Sequence, residues 1–221
     1  MGGFIKNNGL SLVLFGLFLF SLGGQYLTGW KEHNNEQVSH GKLEVNAVEY
    51  LSEGHFWEAT FENWESEFLQ MSAYVLLTVF LFQKGSSESK TPGTTERVDV
   101  IADSKHWNKD TPWPVRRGGF VLKIYENSLS IALLLLFFGS FFVHAAGGAS
   151  DYSEEQIAHG GQPVTTFEYM ETSRFWFESF QNWQSEFLSI AVMVVFTIFL
   201  RQKGSPESKP VDSPHFDTGT N

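Results

Sequence analysis

Two stretches of this chain, 10–27 and 128–146, run for 18 and 19 residues without a single Asp, Glu, Lys or Arg. A helix rises about 1.5 Å per residue, so ~20 residues cross a hydrocarbon core of roughly 30 Å. Each stretch therefore predicts a membrane-spanning helix. Two further apolar runs, 68–82 and 187–200, hold 15 and 14 residues, and on length alone would suit buried helices of a soluble core. Four such segments in a chain of 221 residues leave too little polar sequence to cover them in water, which favours the membrane for all four.

The first run follows a lone Lys6, as a cleaved signal peptide would. No small-x-small cleavage site follows it, and a related segment recurs at 128–146, so a span is the better reading. Charge then orients the four spans. Segment 28–67 sets two lysines against nine glutamates, net -7, and segment 147–186 sets Arg174 against seven acids, net -6. Lys6, Lys84, Lys90, Arg116, Arg117, Lys123, Arg201 and Lys203 flank the opposite ends of the spans. Under the positive-inside rule both termini and the central loop are expected in the cytoplasm of a bacterium, with the protein multi-pass in its inner membrane. Trp107 and Trp113 are expected as aromatic anchors at headgroup level, ahead of Arg116.

Shifted by 119 positions, the sequence matches itself without gaps, 8–90 against 127–209, with 35 identities in 83 positions. Asn63-Trp64 and Ser66-Glu67-Phe68-Leu69 recur as Asn182-Trp183 and Ser185-Glu186-Phe187-Leu188, and Gln83-Lys84-Gly85-Ser86 recurs as Gln202-Lys203-Gly204-Ser205. Composition bias aligns leucines but not such blocks in register. The expected fold is therefore all-α and integral to the membrane: four transmembrane helices as two tandem two-helix repeats, with short amphipathic helices in the external segments. Two spans per unit insert both copies the same way round, related by an axis along the membrane normal. The expected divisions are 1–90 for the first repeat, 91–119 for a cytoplasmic linker, 120–209 for the second repeat and 210–221 for a disordered tail, since linker and tail carry no apolar period.

Residues 7–16, 54–71 and 80–90, above all Phe61-Glu62-Asn63-Trp64-Glu65-Ser66-Glu67-Phe68, resemble a bacterial family of small membrane proteins classed as a domain of unknown function. The resemblance extends over both copies. The second copy departs from it at Phe177, Gln181 and Gln184, where the first has Glu58, Glu62 and Glu65. The family implies no activity or cofactor for any residue.

Three groups of side chains are candidates for chemistry. Extending the short span 68–82 upstream to about 20 residues takes in Asn63, Trp64 and Glu67. Asn63 and Glu67 share a helix face and recur as Asn182 and Glu186, and a carboxylate at the hydrocarbon border either snorkels or finds a partner, so these four residues form a candidate polar or cation site. Trp57, Phe61 and Trp64, repeated as Trp176, Phe180 and Trp183, form a stripe at helical spacing that reads as an interfacial aromatic belt. Glu36 and His40, four apart, recur as Glu155 and His159 and could offer two carboxylates and two imidazoles to a metal. Gly41 and Gly160 follow at once, however, which places each His in the last turn of a helix, where the dipole suits it. Glu58, Glu62 and Glu65 read as a solvated face. Gly16, Ser21, Gly23, Gly24, Gly139 and Ser140 would permit close helix packing within the bundle or with a partner.

Enzymatic chemistry is not expected. There is no cysteine, Gly-rich phosphate loop, nucleophile elbow or His-Glu-x-x-His helix. Apart from Tyr26 and Tyr74, the only ionisable side chain within the apolar runs is His144, near an outer end, which disfavours a proton-coupled pump. A net charge of -10 gives no support for nucleic-acid binding, which needs a basic surface, and none is expected as a partner. The leading reading is a non-enzymatic module that, besides the lipid bilayer, packs with a membrane-protein partner or a second copy of itself. The alternatives are cation or small-solute binding or passage between the repeats, and then a metal-binding protein or enzyme. No cofactor is called for.

Overall fold

The computed structural model describes residues 2–102 and 108–219. Trp107 therefore lies outside the described residues, while Trp113 is exposed at the start of a short helix. Among the described residues the chain is helical without strands. The long helices are α1 (Gly2–Ser39), α3 (Gly54–Phe80), α6 (Ser128–Ala158) and α8 (Ser173–Phe199). Between them lie the short helices α2 (Ala47–Tyr50), α4 (Trp113–Arg117), α5 (Gly119–Glu126) and α7 (Thr166–Met170), and one 3-10 turn at Arg97–Asp99.

Three helices, α1, α6 and α8, are long and apolar enough to cross a membrane. On α1 the apolar side chains point outward all round: Leu10, Phe15 and Phe20 are 77%, 68% and 80% exposed. A helix apolar on every side has no stable place in water and finds one in lipid. The α3 helix is long enough, but it begins with Glu58, Glu62, Glu65 and Glu67 and ends at Phe80, which leaves only residues 68–80 as uninterrupted uncharged helix.

The chain divides into two compact units. The first comprises Met1–Phe61 and Phe142–Phe175 and is built around aromatic rings. Its interior holds Tyr50, Ala145, Ala149, Tyr169 and Phe175. Here α1 ends in a left-handed residue, Gly41, whose φ is 73°, with the Lys42 amide donating back to the Gln37 carbonyl at 2.9 Å. The end of α6 is alike, with Gly160 at φ 80° and the Gly161 amide donating to Gln156 at 2.7 Å. The chain then returns along the helix it has left. The Asn34 side chain grips Val45 through both amide and carbonyl, at 2.8 and 2.9 Å, and the Ser153 hydroxyl grips Val164 in the same way, at 2.9 and 3.1 Å. Capping boxes, Asn46 with Glu49 and Thr165 with Glu168, start α2 and α7. Helices this short do not form unaided, and each cap contributes about 1 kcal/mol. Each delivers one tyrosine to the interior, where a Cβ on Gly29 would collide with the Tyr50 hydroxyl and one on Gly148 with the Tyr169 ring.

Small residues permit close helix packing in this unit at Gly54 and Gly147. A Cβ on Gly54 would lie 2.6 Å from the Gly147 carbonyl oxygen, and one on Gly147 would lie 2.6 Å from the Glu58 amide nitrogen, so α3 and α6 cross backbone to backbone there. Gly16, Gly23, Gly24 and Gly139, by contrast, have no atom within 4 Å of a Cβ.

The second unit comprises Glu62–Phe141 and Trp176–Asn221. Leu133, Phe137, Ser66, Ser72 and Ser140 are buried in it. Gln70 donates to the Glu186 carbonyl at 3.2 Å and to the Ser189 hydroxyl at 3.3 Å, joining α3 to α8. The repeated Gln-Lys-Gly-Ser-x-Glu-Ser-Lys sequences after α3 and α8 are matching turns. The Gln83 and Gln202 amides donate to Ser89 and Ser208 hydroxyls at 2.8 and 2.9 Å. Sequence patterning assigns no structure to 210–221, yet residues 210–219 form turns around the Lys209 ammonium. That group is 2% exposed and donates to the carbonyls of Gly85, Pro214, His215 and Asp217 at 2.5–3.3 Å. A buried cation surrounded by carbonyl dipoles orders a segment that apolar burial cannot.

Candidate functional site

In the first unit the C-terminal turns of α1 and α6, together with the start of α3, enclose a chamber of about 270 Å³. Helical spacing explains the lining from α1: His33, Glu36, Gln37 and His40 recur three and four apart and so share one face. From α6 and the turn after it come Asp151, Glu154, Glu155 and His159, and the chamber is completed by Lys42, His55 and Arg174.

The wall is held by a charge network. Arg174 pairs with Glu155 at 2.7 Å, Asp151 at 3.1 Å and Glu58 at 3.8 Å, and its guanidinium lies over the Tyr152 ring. Lys42 pairs with Glu154 at 3.2 Å. The imidazoles come in two pairs, His33 with His55 at 5.4 Å between ring centres and His40 with His159 at 6.4 Å. Gln37 contacts the His33 ring nitrogen Nε2 at 3.1 Å, Tyr50 Oη contacts His55 Nδ1 at 2.8 Å, and His159 Nδ1 sits 2.8 Å from the carbonyl oxygen of Glu155. Burial pushes the Tyr50 phenol up to about 12, with the Asp151 charge adding to the rise. It also pushes the His55 imidazole below its usual range; Asp151 opposes that shift and His33 adds to it. Glu53 is raised, first by burial and then by the adjacent Glu154 carboxylate.

All four residues of the repeated Glu-x-x-x-His pattern, Glu36, His40, Glu155 and His159, thus line one chamber. His33 was legible as well, since it lies seven residues before His40 and on the same face. His55, Asp151 and Arg174 were not, because a different helix or a different turn presents them, and no local spacing records that meeting.

The other candidates lie elsewhere. Asn63 and Glu67 are exposed on α3, and Asn182 donates to the carbonyl of Glu178 on its own helix at 3.1 Å. Glu67 and Glu186 stand within electrostatic reach of each other as like charges in the second unit. The aromatic stripe is divided between the units, two residues in the first and four in the second. Trp57 and Phe61 lie 5.6 Å apart in the first, with the Trp57 indole donating to Leu51 at 2.9 Å. In the second unit Trp64 is half-buried, and Trp176, Phe180 and Trp183 form a cluster with ring separations of 5.4–6.3 Å.

One expectation is overturned. Glu58 and Glu65 are not a solvated face: they are 6% and 0% exposed. Glu58 accepts from the Tyr169 hydroxyl at 2.9 Å and pairs with Arg174, and Glu65 accepts from the Trp183 indole at 2.9 Å. Each carboxylate is tolerated inside because a donor from a distant part of the chain satisfies it. That the second copy has Phe177 and Gln184 at these positions showed only that the two copies differ there.

The chain belongs to the family described as a domain of unknown function (DUF6766), whose model matches residues 1–220. No curated protein and no solved structure matches it.

Proposed function

We propose that this family member is a bacterial inner-membrane protein of four spans, a tandem pair of two-helix repeats with both termini cytoplasmic. It acts without enzymatic chemistry, by packing against another membrane helix through α1. One observation carries this reading. Gly9, Gly16 and Gly23 recur every seven residues on one face of α1, and among the described residues no atom lies within 4 Å of a Cβ placed on any of them. Glycine in a helix costs about 1 kcal/mol relative to alanine, and against lipid it gains nothing; against a second helix it allows close backbone approach. The reading of α3 as a fourth span is supported by its 27 residues, about 40 Å of helix.

The absence of cysteine makes the test direct. Gly16→Cys should yield a disulfide-linked dimer, or a cross-link to another protein, in oxidised native membranes. Leu14→Cys, on the opposite face of α1, should yield neither. Equal cross-linking from both positions, or none from Gly16→Cys, removes the packing reading.

A second reading, cation or small-solute binding or passage between the repeats, is supported by the approach of Glu67 to Glu186. It predicts that millimolar divalent cations raise the melting temperature of the detergent-solubilised protein, and that Glu67→Gln or Glu186→Gln abolishes the rise while Glu62→Gln does not.

A further inference from the structure

Several cations of the second unit are engaged by the chain itself. Lys90 pairs with Asp99 at 2.7 Å, Lys209 is enclosed by carbonyls, and Arg201 donates to the carbonyls of Leu200, Pro210 and Ser213 at 2.8–3.2 Å. The elbow formed by α4 and α5 turns its cations outward instead. Arg116, Arg117 and Lys123 are exposed there, and among the described residues no acidic side chain pairs with Arg117 or Lys123. The same elbow exposes apolar surface: Trp113 is 60% and Phe120 77% exposed, and Ile124 and Tyr125 are exposed as well.

Local sequence sets this arrangement. Gly118 has φ 68° and ψ -166°, a conformation open in practice to glycine alone, and Gly119 has φ 58°. Together they break the helix between the two arginines and Phe120. In α5, residues four apart share a face, so Phe120 with Ile124 and Val121 with Tyr125 make one apolar side, while Lys123 and Glu126 stand on the other. Eight residues are too few for a helix that stands alone in water, and the chain leaves Phe120, Ile124 and Tyr125 uncovered.

We propose that this elbow lies on the membrane surface and binds anionic phospholipid, with Trp113, Phe120 and Ile124 in the headgroup boundary and Arg116, Arg117 and Lys123 on lipid phosphates. Two observations choose this occupant. The first is continuity: Asn127 alone separates α5 from α6, a helix long and apolar enough to cross a membrane, whose Leu129 and Leu135 side chains are exposed. The elbow therefore sits where that helix would leave hydrocarbon. The second is charge, since within 113–126 three cations stand against Glu126 alone. Apolar insertion and attraction to anionic headgroups reinforce each other, and either signal without the other holds a segment only weakly. The inference rests on α6 crossing the membrane and is independent of packing through α1.

The test adds dioleoylphosphatidylglycerol to the detergent-solubilised full chain and follows its melting temperature. This lipid should raise it, whereas phosphatidylcholine or inorganic phosphate at the same concentration should not. Each cation near an anionic surface is worth about fivefold in affinity. Arg116→Gln combined with Arg117→Gln should therefore raise the lipid concentration at half effect on the order of twentyfold. Arg97→Gln combined with Lys109→Gln removes the same charge from exposed linker residues and should behave as the parent does. The absence of cysteine supplies a second readout. A fluorophore on Phe120→Cys, in vesicles containing phosphatidylglycerol, should be quenched by brominated lipid and shielded from acrylamide. No rise with phosphatidylglycerol, an equal rise with phosphatidylcholine or phosphate, an equal shift in both double variants, or a fluorophore quenched by acrylamide alone would overturn the proposal. Cross-linking from Gly16→Cys reads out α1 separately, so the two proposals can fail independently.

Discussion

A carboxylate here is stable or strained according to what stands opposite it, and the numbering of the chain does not reveal which. Glu65 is fully enclosed and takes the Trp183 indole N–H. Trp183→Phe keeps an aromatic ring but removes that donor from a buried anion, so a loss of about 1–3 kcal/mol is expected in equilibrium unfolding. Glu65→Leu in that background should recover part of it, because no charge is left to solvate. Glu53 is the opposite case, raised by burial and by Glu154. A carboxyl group whose folded pKa exceeds its unfolded value binds more protons when folded, so its contribution is full below the unfolded value of 4.5 and is lost as pH rises through the folded value. Glu53→Gln should therefore flatten the fall in stability above pH 4.5. At neutral pH the gain should be under about 0.5 kcal/mol, since most of the side chain is solvated. A pH profile for Glu53→Gln that parallels the parent would refute that assignment.

At the scale of elements, the long helices follow from apolar runs, and their ends follow from local chemistry. Gly41 and Gly160 end α1 and α6, and the Asn46 and Thr165 caps begin α2 and α7. The segment after α8 obeys a different rule, because Lys209 draws four carbonyls around its ammonium. Burial lowers the Lys209 pKa, and the nearby Arg201 charge lowers it further against the pull of Asp217. Lys209→Gln cannot supply three donors to those carbonyls. It should release residues 210–219 and make Phe216 a chymotrypsin site, with the four long helices intact by circular dichroism. Protection of Phe216 equal to the parent's would show that other contacts hold the segment.

For the whole molecule, the proposed arrangement makes a topological prediction. Reporter fusions after Lys90 and after Lys209 should report a cytoplasmic location, and fusions near Lys42 or Gln162 an external one. A cytoplasmic signal at Lys42 would rule out the four-span arrangement and place the histidine chamber on the other side of the membrane. The chamber itself would be unaffected as a structure, since its lining residues all belong to one compact unit.

Length and hydropathy were enough to make α1 and α6 candidates for crossing a membrane, because a helix satisfies its own backbone and its side chains then need only match the surrounding solvent, whereas α8 reaches that length only because its helix begins at Ser173, upstream of the apolar run. Helical periodicity was likewise enough to place Glu36 with His40 and Glu155 with His159, since three or four residues return a helix to the same face. Three things depended on distant parts of the chain meeting. The fold set Arg174 against Asp151 and Glu155, and it enclosed Glu58 and Glu65 beside the donors of Tyr169 and Trp183. It also used Gly54 and Gly147 for close approach while leaving Gly16 and Gly23 open. A buried charge or a bare glycine face has its meaning only in the partner it meets. Those partners lie from 19 to 118 residues away, beyond the reach of any local pattern.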